Sequence, residues 1–301
     1  MRQMTTPEDP HPMNDHPQRE AMSTPAPVAL RAEHLRLAYA AKVVVDDLSL
    51  DIAEGSFTVI VGPNGCGKST LLKAFARILK PREGTVSASG TDLQTLRVKQ
   101  VAQIIGFLSQ SPVTPGAITV ADLVARGRYP HQQLLQQWSR DDERIVADVL
   151  EEVGMRGQAE QLMEALSGGQ RQRAWIAMAL AQQTPVLLLD EPTTYLDVAH
   201  QLDVLDLCSR LHASGRTIVA VLHDLDLAAR YATEIVAMRE GRIVAQGAPA
   251  KLITPTLLRE VFDLEALVID DPETGRPLVV PRDRRPHQSS ATAESTTVHT
   301  V

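Results

Sequence analysis

The segment GPNGCGKST, Gly62 to Thr70, is the densest run of chemistry-bearing residues in the chain. It fits the pattern G-x-x-x-x-G-K-[ST]. In such a loop, glycines let backbone N–H groups close around phosphate oxygens, and the helix that follows adds about half a positive charge at its start. Gly62, Pro63, Asn64, Gly65, Cys66, Gly67, Lys68, Ser69 and Thr70 are therefore expected to cradle the phosphates of a nucleotide. Lys68 would reach the β- and γ-phosphates, and the Ser69 hydroxyl would be a ligand for Mg2+. The flanks suit this chemistry: FTVIV (57–61) reads as a buried strand and Lys68 to Leu79 as a helix. A chance glycine-rich turn would require neither.

A second set of candidates lies far downstream. In VLLLDEP, Asp190 and Glu191 end a short apolar run. Open α/β sheets bind ligands beyond the carboxyl ends of their strands. Asp190 is expected to hold Mg2+, largely through water, and Glu191 to orient or deprotonate an attacking water. An acidic residue before proline also opens helices well, so the segment taken alone leaves both readings open. His223, at the end of TIVAVLH, and Gln110, at the end of GFLSQ, are ordinary strand-end polar residues by themselves. Beside the carboxylate pair they become a γ-phosphate contact and a ligand to Mg2+ and the attacking water.

The segment ALSGGQRQRAWIAMALA (165–181) poses a different question. Ser167 and Gln170 have the S-x-x-Q spacing of a capping box. That accounts for the serine and the glutamine but not for both Gly168 and Gly169, each of which costs up to about 1 kcal/mol in a helix relative to alanine. Glycine belongs where something approaches the backbone closely, and exposed N–H groups at a helix start attract anions.

The elements that must position these residues alternate between strand and helix. FTVIV, PVLLLD (185–190) and TIVAVLH (217–223) are continuous apolar runs, as strands covered on both faces require. Thr119 to Arg126, Asp141 to Val153 and Asp197 to His212 read as helices, the last closed near Gly215. This predicts an α/β fold of the P-loop type with a mostly parallel sheet. ALRAEHLRLAYA and LSLDIAEG predict an antiparallel edge subdomain, and about 92–165 an inserted helical subdomain. Residues 1–27 and 282–301 read as a disordered leader and tail. His11 and His16 fall in the leader, where a solvated chain explains them better than a metal site.

The chain has 301 residues, 44% hydrophobic and 22% charged, enough for a sizeable core, which must be aliphatic because aromatics make up 3%. A net charge of −7 without a long basic run argues against a grip on nucleic acid. Its two cysteines, Cys66 and Cys208, have no paired spacing, which suits a reducing compartment. No apolar run approaches the roughly 20 residues of a membrane span. Cys66 lies beside Lys68 at a helix start, a setting that favours thiolate; a small loop residue without a redox role is the simpler reading. Cys208 reads as core.

LSGGQRQR, LLLDEPTTYLD and LHD, all behind GPNGCGKST, together resemble the nucleotide-binding subunit of an ABC transporter over about residues 28–281. The resemblance implies an ATPase that uses ATP and Mg2+ and pairs head to tail as a homodimer. Ser167, Gly168, Gly169 and Gln170 would then contact ATP held by the partner's phosphate loop, and Asp197 would cross the seam. Tyr39 aligns with the family's adenine-stacking aromatic; an ordinary edge-strand tyrosine is the alternative. TVADLVARGRYPHQQLL, EPTTYLDVAHQLDVLDL and VFDLEALVIDDPETGRPLVVP narrow the likeness to ATPase subunits of iron–siderophore importers. Those subunits often have Asn in place of Asp226. The expectation is a peripheral subunit on the cytoplasmic face of the membrane, driving permease subunits and, indirectly, a substrate-binding lipoprotein. Haem and cobalamin importers are the near alternatives and a soluble non-transport ABC ATPase the remoter one. A simple P-loop switch or kinase has no use for LSGGQ.

Overall fold

The computed structural model describes residues 27–113, 116–132 and 138–283. The leader and tail lie outside the described residues except at Pro27, Arg282 and Asp283. The chain begins with a hairpin, β1 (Val28–Tyr39) and β2 (Lys42–Ala53), and β3 (Phe57–Val61) then leads through the glycine-rich loop into α1 (Lys68–Phe75). Next come β4 (Glu83–Ala88), β5 (Thr91–Asp92), α2 (Val98–Val101), β6 (Ile105–Leu108), α3 (Val120–Arg126) and α4 (Arg140–Glu152). The middle of the chain holds α5 (Gly168–Ala181), β7 (Val186–Asp190), α6 (Val198–Ala213), β8 (Thr217–Val221) and α7 (Leu225–Tyr231). It continues with β9 (Glu234–Arg239), β10 (Arg242–Gly247), α8 (Pro249–Leu252), α9 (Pro255–Phe262), β11 (Ala266–Asp270) and β12 (Pro277–Pro281).

The central sheet has the order β10-β9-β3-β8-β7-β6, and only its β10 edge is antiparallel. Its strands are apolar throughout because both faces are covered. Ile60, Leu188, Val219 and Val236 point into one core, shared with α1 and the antiparallel sheet β2-β1-β4-β5. Val59, Leu189, Ala220 and Ala237 alternate with them and point into the other, shared with α3 to α6. Two buried faces turn the usual alternation of a strand into a continuous hydrophobic run.

Two expectations shift. The helix read to Leu79 ends at Phe75, because Arg77 adopts φ 56° and the N–H groups of Ile78 and Leu79 both return to the Lys73 carbonyl. A left-handed residue with such returning bonds stops a helix whatever the apolar pattern beyond it. The segment read as a helical insertion, 92–165, also contains β6, which pairs with β7 in the central sheet. The helices α3 and α4 follow that strand and are tied to α5 by Arg128. Its buried guanidinium donates to Asp142 Oδ1 at 2.8 Å and to the Ala181 carbonyl at 2.7 Å. Burial pushes the Asp142 carboxyl up, but hydrogen bonds from Arg128 and Ser139 outweigh it and hold the group below the usual carboxylate range. Removing one partner of such a buried pair typically costs about 3–5 kcal/mol.

Candidate functional site

Four neighbouring parallel strands set out the site in spatial order. The phosphate loop follows β3, His223 lies two residues past β8, Asp190 and Glu191 end and follow β7, and Gln110 lies two residues past β6. The register places Val221 beside both Ile60 and Asp190, and Leu108 beside Leu189, so these carboxyl ends are level. Residues far apart in sequence thus meet on one edge of the sheet, where open α/β folds bind their ligands.

The loop is fitted closely to the sheet below it. Gly62 has φ 151°, and a Cβ there would lie 2.1 Å from the Met238 carbonyl oxygen of β9. Only glycine allows this approach. The Lys68 ammonium donates to the carbonyls of Gly62 and Pro63 at 2.8 and 3.0 Å. Lys68 is buried, so an apolar stem and a cationic head are held within the loop.

Ser69 Oγ donates to Asp190 Oδ1 at 2.7 Å. Burial above all pushes the Asp190 carboxyl up; the Ser69 bond opposes this, and the Glu191 charge adds to it. A serine hydroxyl and a carboxylate in contact, with a glutamine amide on the adjoining strand, are hard oxygen donors of the kind Mg2+ takes together with water and substrate phosphates. The donor set fits that ion.

Glu191 has the left-handed φ of 53° and is almost fully enclosed, its side chain 10% exposed. Its Oε2 accepts from Gln110 Nε2 and from Thr194 Oγ1. Its Oε1 lies 2.6 Å from His223 Nε2. A carboxylate has about four lone-pair sites, two on each oxygen. Oε2 therefore uses both of its sites, while Oε1 keeps one for a further donor such as water. Thr194 was not singled out in the sequence; the second threonine of EPTT was its only trace.

Tyr39 ends β1 beside the turn into β2 and is 46% exposed, a flat ring open to solvent. Val44 and Val45 of the neighbouring strand lie against Gly67 of the phosphate loop. The glycine pair is elsewhere, at the start of α5. Ser167 and Gln170 form the reciprocal capping box there: Ser167 Oγ accepts from Gln170 N–H at 3.3 Å, and Gln170 Oε1 from Ser167 N–H at 3.0 Å. Asp197 caps α6. Among the described residues, neither segment makes a side-chain hydrogen bond to the phosphate loop. Cys66 is buried, and burial pushes its thiol up more strongly than Lys68 pulls it down. The thiolate-favouring setting read from the sequence is thereby corrected: closing the loop over the sulfur removes the solvent a thiolate needs.

A phosphate-binding loop, an Asp–Glu pair at the next strand but one, a histidine between them and a capped glycine helix define the class: a P-loop nucleotide hydrolase of the ABC type. Comparisons agree. A family profile described as ABC transporter matches residues 45–194. The ferric enterobactin transport ATP-binding protein FepC of Escherichia coli (strain K12) is 51% identical over 256 residues, covering 85% of this chain and 94% of that protein. An ABC transporter solved in an inward-facing conformation is similar with a TM-score of 0.74 at 28% identity, over 85% of this chain and 98% of the solved one. A bacterial ABC transporter cassette solved as a dimer is similar with a TM-score of 0.65 at 27% identity, over 73% and 98% of the two chains. The chain belongs to the ATP-binding subunits of ABC transporters and is an ATPase.

Proposed function

We propose that this chain is the ATPase of an iron(III)–siderophore importer and works as a head-to-tail pair of copies. One ABC ATP-binding domain over 28–281 carries the function. ATP phosphates lie in Gly62 to Thr70, with Lys68 turned from its loop carbonyls to the β- and γ-phosphates and Tyr39 stacked on the base. Ser69, Asp190 and Gln110 hold Mg2+, which neutralises phosphate charge when bound. The attacking water donates to the free site on Glu191 Oε1 and gives up its proton there as its oxygen bonds to the γ-phosphorus. The β–γ bridging bond breaks and ADP leaves with the charge. His223 holds Glu191 and reaches the γ-phosphate. Ser167, Gly168, Gly169, Gln170 and Asp197 act on the nucleotide of the second copy.

The observation that carries this reading is the convergence of four strand ends on one carboxylate hub, none of whose hydrogen bonds comes from the capped start of α5. A site with its γ-phosphate donors on another element is incomplete in one copy. The dimeric cassette among the similar structures supports the pairing, and the likeness to a ferric enterobactin subunit supports the cargo class. The described residues hold no helix long and apolar enough to cross a membrane. The likeness to importer ATP-binding subunits supports permease subunits that supply the path, with this chain on their cytoplasmic face. A groove beside β6, lined by Ile78, Val98, Val101 and Phe107 together with Arg77 and Gln182, suits a permease helix; a lipoprotein delivers cargo on the other side. The test is uptake in a strain lacking this chain, restored with the native protein or with Glu191→Gln. Native protein alone should restore uptake of at least one iron(III)–siderophore. Restored haem or cobalamin uptake with no siderophore response would overturn the cargo assignment.

A further inference from the structure

The second glycine of the pair faces a side chain of its own protein. A Cβ on Gly169 would lie 2.3 Å from His200 Cδ2, 2.8 Å from Cγ and 3.1 Å from the His200 Cβ. The first two contacts force the imidazole to swing away, while the third, at the root of the side chain, asks only for a shift of a few tenths of an ångström. A Cβ on Gly168 would meet only Leu196 Cδ2, at an ordinary 3.6 Å. The same His200 ring holds the loop before α6. Its Nδ1 lies 2.7 Å from Asp197 Oδ1, and its backbone N–H donates to that oxygen at 2.9 Å. Ionised Asp197 only accepts, so Nδ1 carries the proton. Gln201 Nε2 adds a bond to the Leu196 carbonyl at 2.9 Å. A capping aspartate needs only the backbone bonds; the ring lying across a different helix is what capping does not explain.

We propose that His200 is a positioning residue that locks the Asp197 loop onto the start of α5, and that Gly169 is glycine in order to seat its ring. Ser167 to Gln170 and Asp197 then face the second copy as one rigid surface instead of two independent segments. A side chain at position 169 breaks the lock because it displaces the imidazole from Asp197. This role rests on the two-copy reading above, but the contact beneath it belongs to a single chain.

Two readouts on the full chain separate these levels. Without nucleotide, Gly169→Ala should lower the melting temperature by roughly 2–4 °C and cost far less, or even gain, when His200→Ala removes the ring. An equal loss in both backgrounds overturns the seating. In a Glu191→Gln parent with ATP, His200→Ala should weaken self-association by about tenfold or more, while the affinity of the dilute monomer for ATP stays unchanged. His200→Asn, whose amide can still donate to Asp197, should recover much of the association. A parent that dimerises equally well with and without His200 overturns the role of His200 alone. A parent that stays monomeric with ATP bound overturns the two-copy reading and this role with it, and the melting comparison still decides the seating of the ring.

Discussion

Glu191 and His223 are in direct contact: His223 Nε2 lies 2.6 Å from Glu191 Oε1, just past the ends of two neighbouring strands of the sheet. The pair leaves Glu191 a single open lone-pair site, the position the proposed mechanism gives to the attacking water. Loss of either partner removes that geometry. Glu191→Gln and His223→Ala should each lower ATP turnover by about 10²-fold or more, with ATP affinity close to that of the parent. The double variant should cost little beyond the worse single one. Steady-state turnover and equilibrium nucleotide binding check this; effects that multiply fully would separate the two residues.

Both thiols are poor nucleophiles in the folded chain. Burial pushes Cys66 up, and pushes Cys208 up to about 12. At neutral pH each should react with N-ethylmaleimide more slowly than a free small-molecule thiol, because thiolate is the reacting form. Denaturant should expose both. Cys66→Ala should keep ATP turnover near the parent's; rapid labelling of native Cys66 would contradict its burial.

Asp226 Oδ1 accepts from the Val279 N–H at 2.8 Å, fastening α7 to β12. Burial above all pushes this carboxyl up; the Val279 bond opposes it, and Asp224 and Asp271 add to it. A carboxyl raised in the folded state favours folding when protonated, and that contribution is lost as pH rises through its folded pKa. At neutral pH the charge is therefore a cost. Asp226→Asn keeps the acceptor and removes the charge, so its melting temperature should exceed the parent's at neutral pH. The gap should close as pH falls toward the ordinary aspartate range of about 4. A gap that widens in acid would contradict the assignment.

The phosphate loop and three of the core strands are legible because each is contiguous: Gly62 to Thr70 carries its own pattern, and FTVIV, VLLLD and TIVAV are buried on both faces. The strand IGFL is legible as the start of GFLSQ, but its place in the central sheet is not, because its partner β7 lies far along the chain and the helical insertion runs across it. The end of α1 was misplaced because the left-handed turn at Arg77 leaves no glycine to mark it. Gly169 was recognised as a position of close approach, yet the approaching group was sought only on a second copy. His200 passed as an ordinary helix residue because its ring meets α5 only after folding.

In the proposed head-to-tail pair, two chains complete each hydrolytic site. ATP turnover per chain, measured over a wide range of chain concentration with the oligomeric state read by light scattering, tests it most directly, with Lys68→Ala as the inactive control. Turnover should be negligible where the chain is monomeric and should rise in step with the ATP-dependent dimer. Full turnover that is independent of concentration on a chain monomeric throughout would contradict it.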